Sequence, residues 1–531
     1  MSGIRSANMY ARLLFLLLGL GSSVAGPAQF ATLDPSFSAD GFDTLSTNAW
    51  IGYDNMTGFT EVALQADGRI LSAGYIGLSE YAYVTRHLAN GEPDTAFADQ
   101  GTFLLPFWTA MSFAFEDLVV QPDGRILVAG SSSVFNGLGI IRLTPGGALD
   151  TSFAGLGYTI VYGTGGYLEG ADLSVRSDGH IALVSHVYDA NTDGIFAAVL
   201  TPSGTLDAAF DGDGRLTYFI PGEQLIVRQA GLDSLDRIVV AGDHPLFGMF
   251  PGEMFVTRIA TDGSIDPGFG SGGFVFMSPS PYQGLANGAL HVHADGRIVI
   301  AGVGLMVRLL DDGSADGTFG SSGTAYIPSH PMGVDLPRGL TCDASGRYII
   351  SGVLFDSTPD VWQHVIVRRV EADGTLDTSF GPSASFVWPP VYDGSSGDAV
   401  GFHDLVQPDG RIVICGGARP PGSPSTNALV MRLYFTGETG MPDGLDKVAC
   451  SVTPNPVRSA AVVRYALVGP AVLSMRIIDP VGRTVCTVFA NEQHAAGVFS
   501  RTLDLAGLAA GNYAILLNGP NGSAAARIVK E

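Results

Sequence analysis

The sequence is poor in positive charge, with 28 Lys and Arg against 51 Asp and Glu in 531 residues and a net charge of −23. Phosphate backbones are held by clustered Lys and Arg, and no basic stripe occurs, which excludes nucleic acid as a partner. The acidity serves solubility or, alternatively, cation binding by surface carboxylates. Cysteine is scarce too: Cys342, Cys415, Cys450 and Cys486. No CxxC or Cys/His spacing suggests zinc. Cys342 and Cys415 take apolar positions and read as free thiols, whereas Cys450 and Cys486 can pair with each other. No apolar run is long enough to span a bilayer. Leu13 to Leu20, with Arg5 and Arg12 ahead of it and Ser23-Val24-Ala25 behind, reads as a signal peptide over residues 1–25. Helix-period stretches are few. GxSxG, HExxH and a Walker loop are all missing, so no catalytic residue is nominated and no cofactor is expected.

What the chain does have is repetition. Gln121-Pro122-Asp123-Gly124-Arg125-Ile126-Leu127-Val128-Ala129-Gly130 predicts a β-hairpin around a two-residue Asp-Gly turn, followed by a strand buried on both faces. Related stretches centre on Arg69, Arg125, His180, Arg237, Arg297, Arg347 and Arg411, 50 to 64 residues apart. The position five before each is apolar (Leu64, Val120, Val175, Leu232, Val292, Cys342, Val406) and the next is polar, the alternation of a half-buried strand. A second motif interleaves: Asp34, Asp94, Asp150, Asp207, Asp266, Asp316 and Asp377, each followed three residues later by Phe. Arg86, Arg142, Arg258, Arg308 and Arg369 precede the Asp by eight residues, and Val199 breaks the pattern. Each unit therefore reads as four short strands, one blade of a propeller.

The chain starts with an Asp-Phe motif that has no hairpin and ends with a hairpin, up to Arg432, that has no Asp-Phe motif. A closed ring joins the two: the strand near Gly41–Leu45 completes the last unit. An open β-solenoid is the competing architecture.

These motifs over about residues 33–437 (LDxSF, QPDGRILVAG, RLxxxGxLD) resemble the delta-60 β-propeller repeat family. The resemblance implies a fold and no particular reaction. After a linker at 438–447, residues 448–531 carry Pro454-Asn455-Pro456, the turn Asp479 to Arg483, Gly511-Asn512-Tyr513 and a terminal Lys530. This segment, about six or seven short strands, suggests an Ig-like sandwich. It resembles the C-terminal sorting domain of the type IX secretion system, with Ig-like modules of flagellar hook-cap type as close rivals. The resemblance implies the secretion machinery as partner and an outer-membrane-exterior location. The fold expected is thus all-β: a seven-bladed β-propeller over 30–437, then a small Ig-like β-sandwich.

Residues present in every copy are read as structural; function is sought in what differs. Aromatic groups occur at Trp388 with Pro389, Pro390, Tyr392 and Asp393, at Phe107, Trp108 and Phe113, and at Trp362 with His364. They suit a sugar platform or ordinary rim packing. His291 and His293 project to one strand face, a spacing that suits a metal, though no third ligand is identifiable nearby. Asp211 to Arg215 resembles the start of a calcium loop but lacks its closing Glu, and reads as a turn. The function these readings support is an extracellular binding or adhesion module for a glycan or protein. The alternative is a secreted hydrolase or lyase working at one ring face.

Overall fold

The computed structural model describes residues 30–38, 40–45, 57–76, 81–105, 114–132, 136–189, 192–246, 249–278, 289–356, 363–388, 391–392, 395–396, 398–419, 426–436, 451–453, 457–467, 471–478, 483–494, 497–519 and 522–530. The signal peptide, the 438–447 linker, Cys450 and the Pro454-Asn455-Pro456 landmark lie outside these residues.

The described chain is nearly all β-strand, in many small antiparallel sheets. Seven sheets of four or five strands follow one another to residue 436. The second sheet is typical: Ala114–Val120, Ile126–Ser132, Gly137–Leu143 and Tyr158–Tyr162 in sequential order. Ile126, Leu127, Val128 and Ala129 are wholly buried, as their apolar run requires. Each large side chain in such a strand contributes about 1.5–3 kcal/mol on burial.

The hairpin turn is one residue longer than predicted. Gln65 N–H donates to the Arg69 carbonyl and Gly68 N–H to the Gln65 carbonyl, so three residues form the loop, with Gly68 at φ 83°. A three-residue hairpin joins a type I turn to one left-handed residue, and Gly fills that place without a Cβ clash. The Asp67 carboxylate accepts from the Arg69 N–H (3.1 Å). In the fourth copy Asp236 occupies the left-handed position, at φ 61°.

Sheets are joined by their faces. A separate apolar core lies between each sheet and the next, and another, with Phe37, Phe59, Tyr83, Val413 and Val430, lies between the seventh and the first. The first strands of successive sheets pack on one another through a full circuit, so they form the innermost layer.

The two ends of the repeat meet in the seventh sheet. Phe30–Leu33 and Phe42–Leu45 both pair with Asn427–Thr436, Leu33 opposite Leu433 and Phe42 opposite Met431. Elsewhere that edge is filled from the same copy, as Leu149 opposite Leu143 or Ile265 opposite Ile259. The expected pairing near Gly41–Leu45 with the region around Arg432 is therefore present.

The repeated Arg, Asp and Phe explain how neighbours are locked. Arg142 Nε donates to Asp150 Oδ2 (2.7 Å), its guanidinium lies 4.7 Å from the Phe153 ring centroid, and its NH1 donates to the Pro202 carbonyl of the next copy (2.7 Å). One guanidinium thus holds its own motif and the following one, and the ring contact adds about 0.5–2 kcal/mol. Arg86, Arg258, Arg308 and Arg432 repeat the arrangement. Where Val199 replaces the strand Arg, Arg176 of the same sheet places its guanidinium 5.7 Å from Phe210. It also reaches the Thr261 carbonyl (3.3 Å).

Glycines ending the second strands face backbone, as expected: a Cβ on Gly352 would stand 2.1 Å from the Leu336 carbonyl oxygen. Beyond residue 450, a three-stranded sheet (Ser451–Thr453, Ala460–Leu467, Gly497–Asp504) and a four-stranded one (Thr484–His494, Ala471–Ile478, Gly511–Gly519, Gly522–Lys530) share one core, with Tyr465, Met475, Leu503 and Ile528 buried in it. Cys486 is half-buried there; Cys450, with which it could pair, lies outside the described residues.

Candidate functional site

With the repeated residues engaged in holding sheets together, the innermost strands are where the copies differ. Eight residues before the hairpin Arg or His stand Glu61, Asp117, Asp172, Gln229, Ala289, Gly339 and His403. A β-bulge precedes the position in most copies, as between Phe59 and Glu61 or Gly401 and His403, and a bulge re-aims the side chain that follows it. Four of the seven are ionisable, and they belong to the contiguous seventh, first, second and third sheets.

Four of these side chains reach the next sheet. His403 Nδ1 lies 2.7 Å from Glu61 Oε1. Asp117 Oδ2 accepts from the Leu173 N–H (2.6 Å), Asp172 from the Ala230 N–H, and Gln229 Oε1 from the Leu290 N–H (2.5 Å). They are cross-sheet staples first. They also gather charge in a poorly solvated place. Burial, joined by the charge of Glu61, pushes the Asp117 carboxyl up to about 7. Burial also raises Glu116 to about 7 against hydrogen bonds from Ser131, and raises Asp172 well above the usual range with Asp117 adding to it. Burial alone would lower His403, but the charge and hydrogen bond of Glu61 outweigh it and hold the imidazolium up to about 9. Asp404, buried and hydrogen-bonded by Ser351 Oγ (2.5 Å), rises to about 6.

An exposed aromatic group adjoins this layer. Tyr167 opens the first strand of the third sheet, five residues before Asp172, and is 59% exposed. Its ring centroid lies 5.9 Å from that of Tyr188, which stacks on His186 at 5.4 Å. Tyr162, 52% exposed, ends the preceding strand.

The groups picked out in the sequence fare differently. Trp388 is buried and packs on Phe42 at 5.0 Å, so it seals the sixth sheet to the closing strand instead of offering a platform. His364 is buried, 3.8 Å from Asp356. Pro389, Pro390, Asp393, Phe107, Trp108, Phe113 and Trp362 lie outside the described residues, and Tyr392 falls in the short strand Val391–Tyr392. Asp211 to Arg215 is a turn, with Asp213 accepting from the Arg215 N–H (2.9 Å). His291 and His293 do acquire a third potential ligand, Cys342 of the next sheet, with one donor atom of each lying within 4.8 Å of the others. The inner-strand carboxylates and the tyrosines belong to no motif of the sequence. Counting back eight residues instead of five exposes the carboxylates. The tyrosines follow no repeat.

A family model described as "Domain of unknown function (DUF5122) beta-propeller" matches residues 121–153 and 293–319. Each matched stretch runs from the polar position four before the hairpin Arg to the Phe of the Asp-Phe motif. The match supports a β-propeller repeat family. No curated protein matches. Among solved structures, the chain is similar to the polysaccharide lyase Uly1, at 10% identity and a TM-score of 0.43, covering 71% of this chain and 89% of that one. It is also similar to an endo-arabinase from Bacteroides thetaiotaomicron, at 10% identity and TM-score 0.31, covering 60% and 93%. A polysaccharide lyase of family PL25, an ulvan lyase, matches at 9% identity and TM-score 0.29, covering 84% and 96%. At these similarities no activity passes from them to this chain.

Proposed function

We propose that the seven sheets are the blades of a closed β-propeller and that this body is an extracellular binding module for a glycan. The observation that carries the reading is the exposed Tyr167, its ring against the half-buried Tyr188, at the head of a strand that bears a carboxylate on the innermost layer. Sugar rings offer apolar faces to aromatic rings and hydroxyl donors to carboxylates. Glycan arrays probed with the propeller body are expected to return a ligand, and Tyr167→Ala to weaken it tenfold or more. A ligand bound equally by the variant would refute the tyrosine site, and no ligand on glycan arrays or in protein pull-downs would refute the binding role.

The His403 imidazolium, beside Glu61 and within electrostatic reach of an Asp117 carboxyl raised to about 7, favours a second reading, a hydrolase or lyase working at the axis. Chain cleavage of the bound polysaccharide, lost in Asp117→Asn, would select it.

We further infer that residues 448–531 are an Ig-like export address read by the type IX secretion machinery. The two-sheet unit with its own core supports an independent module. Its deletion is expected to abolish surface delivery while the body stays folded. Normal display of the truncated chain would end the sorting assignment.

A further inference from the structure

We propose that His291, His293 and Cys342 form a site for a thiophilic transition-metal ion, zinc above all, at the junction of the fifth and sixth sheets. His291 and His293 lie on the first strand of the fifth sheet and at its end, and Cys342 ends the first strand of the sixth. One donor atom of each falls within 4.8 Å of the others, and all three side chains are partly buried but keep some exposed surface through which an ion can reach them. In a tetrahedral zinc site, with Zn–N about 2.0 Å and Zn–S about 2.3 Å, donors stand about 3.5 Å apart. Side-chain rotation of about 1 Å closes that gap, and a fourth position stays open to water. One thiolate with two imidazoles selects zinc or copper over magnesium and calcium, which take oxygen ligands.

The repeat supplies an internal comparison. At the place of His291 the other copies carry Ala63, Val119, Ser174, Gly231, Thr341 and Leu405, which are not metal ligands. At the place of Cys342 they carry Leu or Val. Tyr348 stands where every other copy has Ile, and its hydroxyl bonds His293 Nε2 at 2.9 Å. Changes in two different copies thus converge on one junction. The Tyr348 bond occupies one ring nitrogen of His293 and fixes the ring, as outer-sphere partners of metal-bound histidines do, leaving the other nitrogen to ligate. The nearby guanidiniums are already neutralised, Arg308 by Asp316 (2.7 Å) and Arg297 by Asp295 (2.8 Å).

The test uses the full exported chain, reduced and stripped with chelator, titrated with zinc and separately with cobalt(II). One equivalent is expected to bind with a dissociation constant at or below about 1 μM. Cobalt should give the near-ultraviolet thiolate charge-transfer band and the strong visible bands of a tetrahedral site. Cys342→Ser and His291→Gln should each weaken zinc at least 100-fold, with the thiolate band absent in the first, and Tyr348→Phe should weaken it about tenfold. Where a variant folds poorly, the wild-type chain decides: zinc should protect Cys342 from iodoacetamide, mapped by mass spectrometry. The proposal is overturned if no ion binds at 100 μM, if Cys342→Ser binds as well as wild type, or if zinc leaves Cys342 alkylation unchanged.

Discussion

Asp34→Ala is expected to destabilise the chain by about 4 kcal/mol, read as a lower denaturant midpoint, because it strands a buried guanidinium. Asp34 Oδ2 accepts from Arg432 Nε (2.8 Å) and stands 2.9 Å from Arg411 Nε, and its Oδ1 accepts from Ser36 N–H and Oγ–H. Asp34 and Arg432 are both buried, so water cannot replace what is lost. The matching change in the fifth sheet, Asp316→Ala, removes a bond of similar length to Arg308 (2.7 Å) and serves as the control. Both variants should lose similar stability, but only Asp34→Ala should expose the first strands to limited proteolysis, since its partner is 398 residues away along the chain. A loss below about 1 kcal/mol at Asp34 would show that the pair does not secure the seam.

The second large effect is a loss of stability with rising pH. His403 is held at about 9 against an ordinary value of 6.5, so the folded state keeps a proton that the unfolded state has released. The stability this brings is fully present below 6.5 and is lost as pH rises through about 9. At about 1.4 kcal/mol per pH unit the interval amounts to about 3 kcal/mol. Asp117 and Glu116, raised to about 7, and Asp172 act in the same sense. Histidines held low by burial, such as His291 at about 4, oppose it only below 6.5. Melting temperature should therefore fall between pH 6.5 and 9 in wild type and much less in His403→Gln. Equal slopes in the two proteins would remove His403 from the account.

Much of this architecture is legible in the sequence because the repeat marks it. The apolar-polar alternation around Leu64 and Gln65 locates the hairpins, and the unmatched motifs at Asp34 and Arg432 foretell that they pair. The turn is one residue longer than its sequence suggests because Asp-Gly suits both two- and three-residue loops, and only the hydrogen bond from Gly68 to Gln65 decides between them. The missing Arg at Val199 looked like a gap. The compensating Arg176 comes from the hairpin just past another strand, a substitution visible only in space. For the same reason His291 and His293 lacked a third ligand: Cys342 is remote in the chain and adjacent in the fold. Trp388 looked like a surface aromatic because its partner, Phe42, belongs to the opposite end of the repeat.

The seam through the seventh sheet bears on how the molecule comes apart. Phe30–Leu33 and Asn427–Thr436 each border an end of the repeat, yet they are held by the same backbone hydrogen bonds. Fraying at one terminus must therefore peel a strand from the other, and the two ends guard each other. Local opening, which ordinarily begins at chain termini, is pushed toward global unfolding. How long the fold persists then depends on a slow unfolding rate, set at a single sheet.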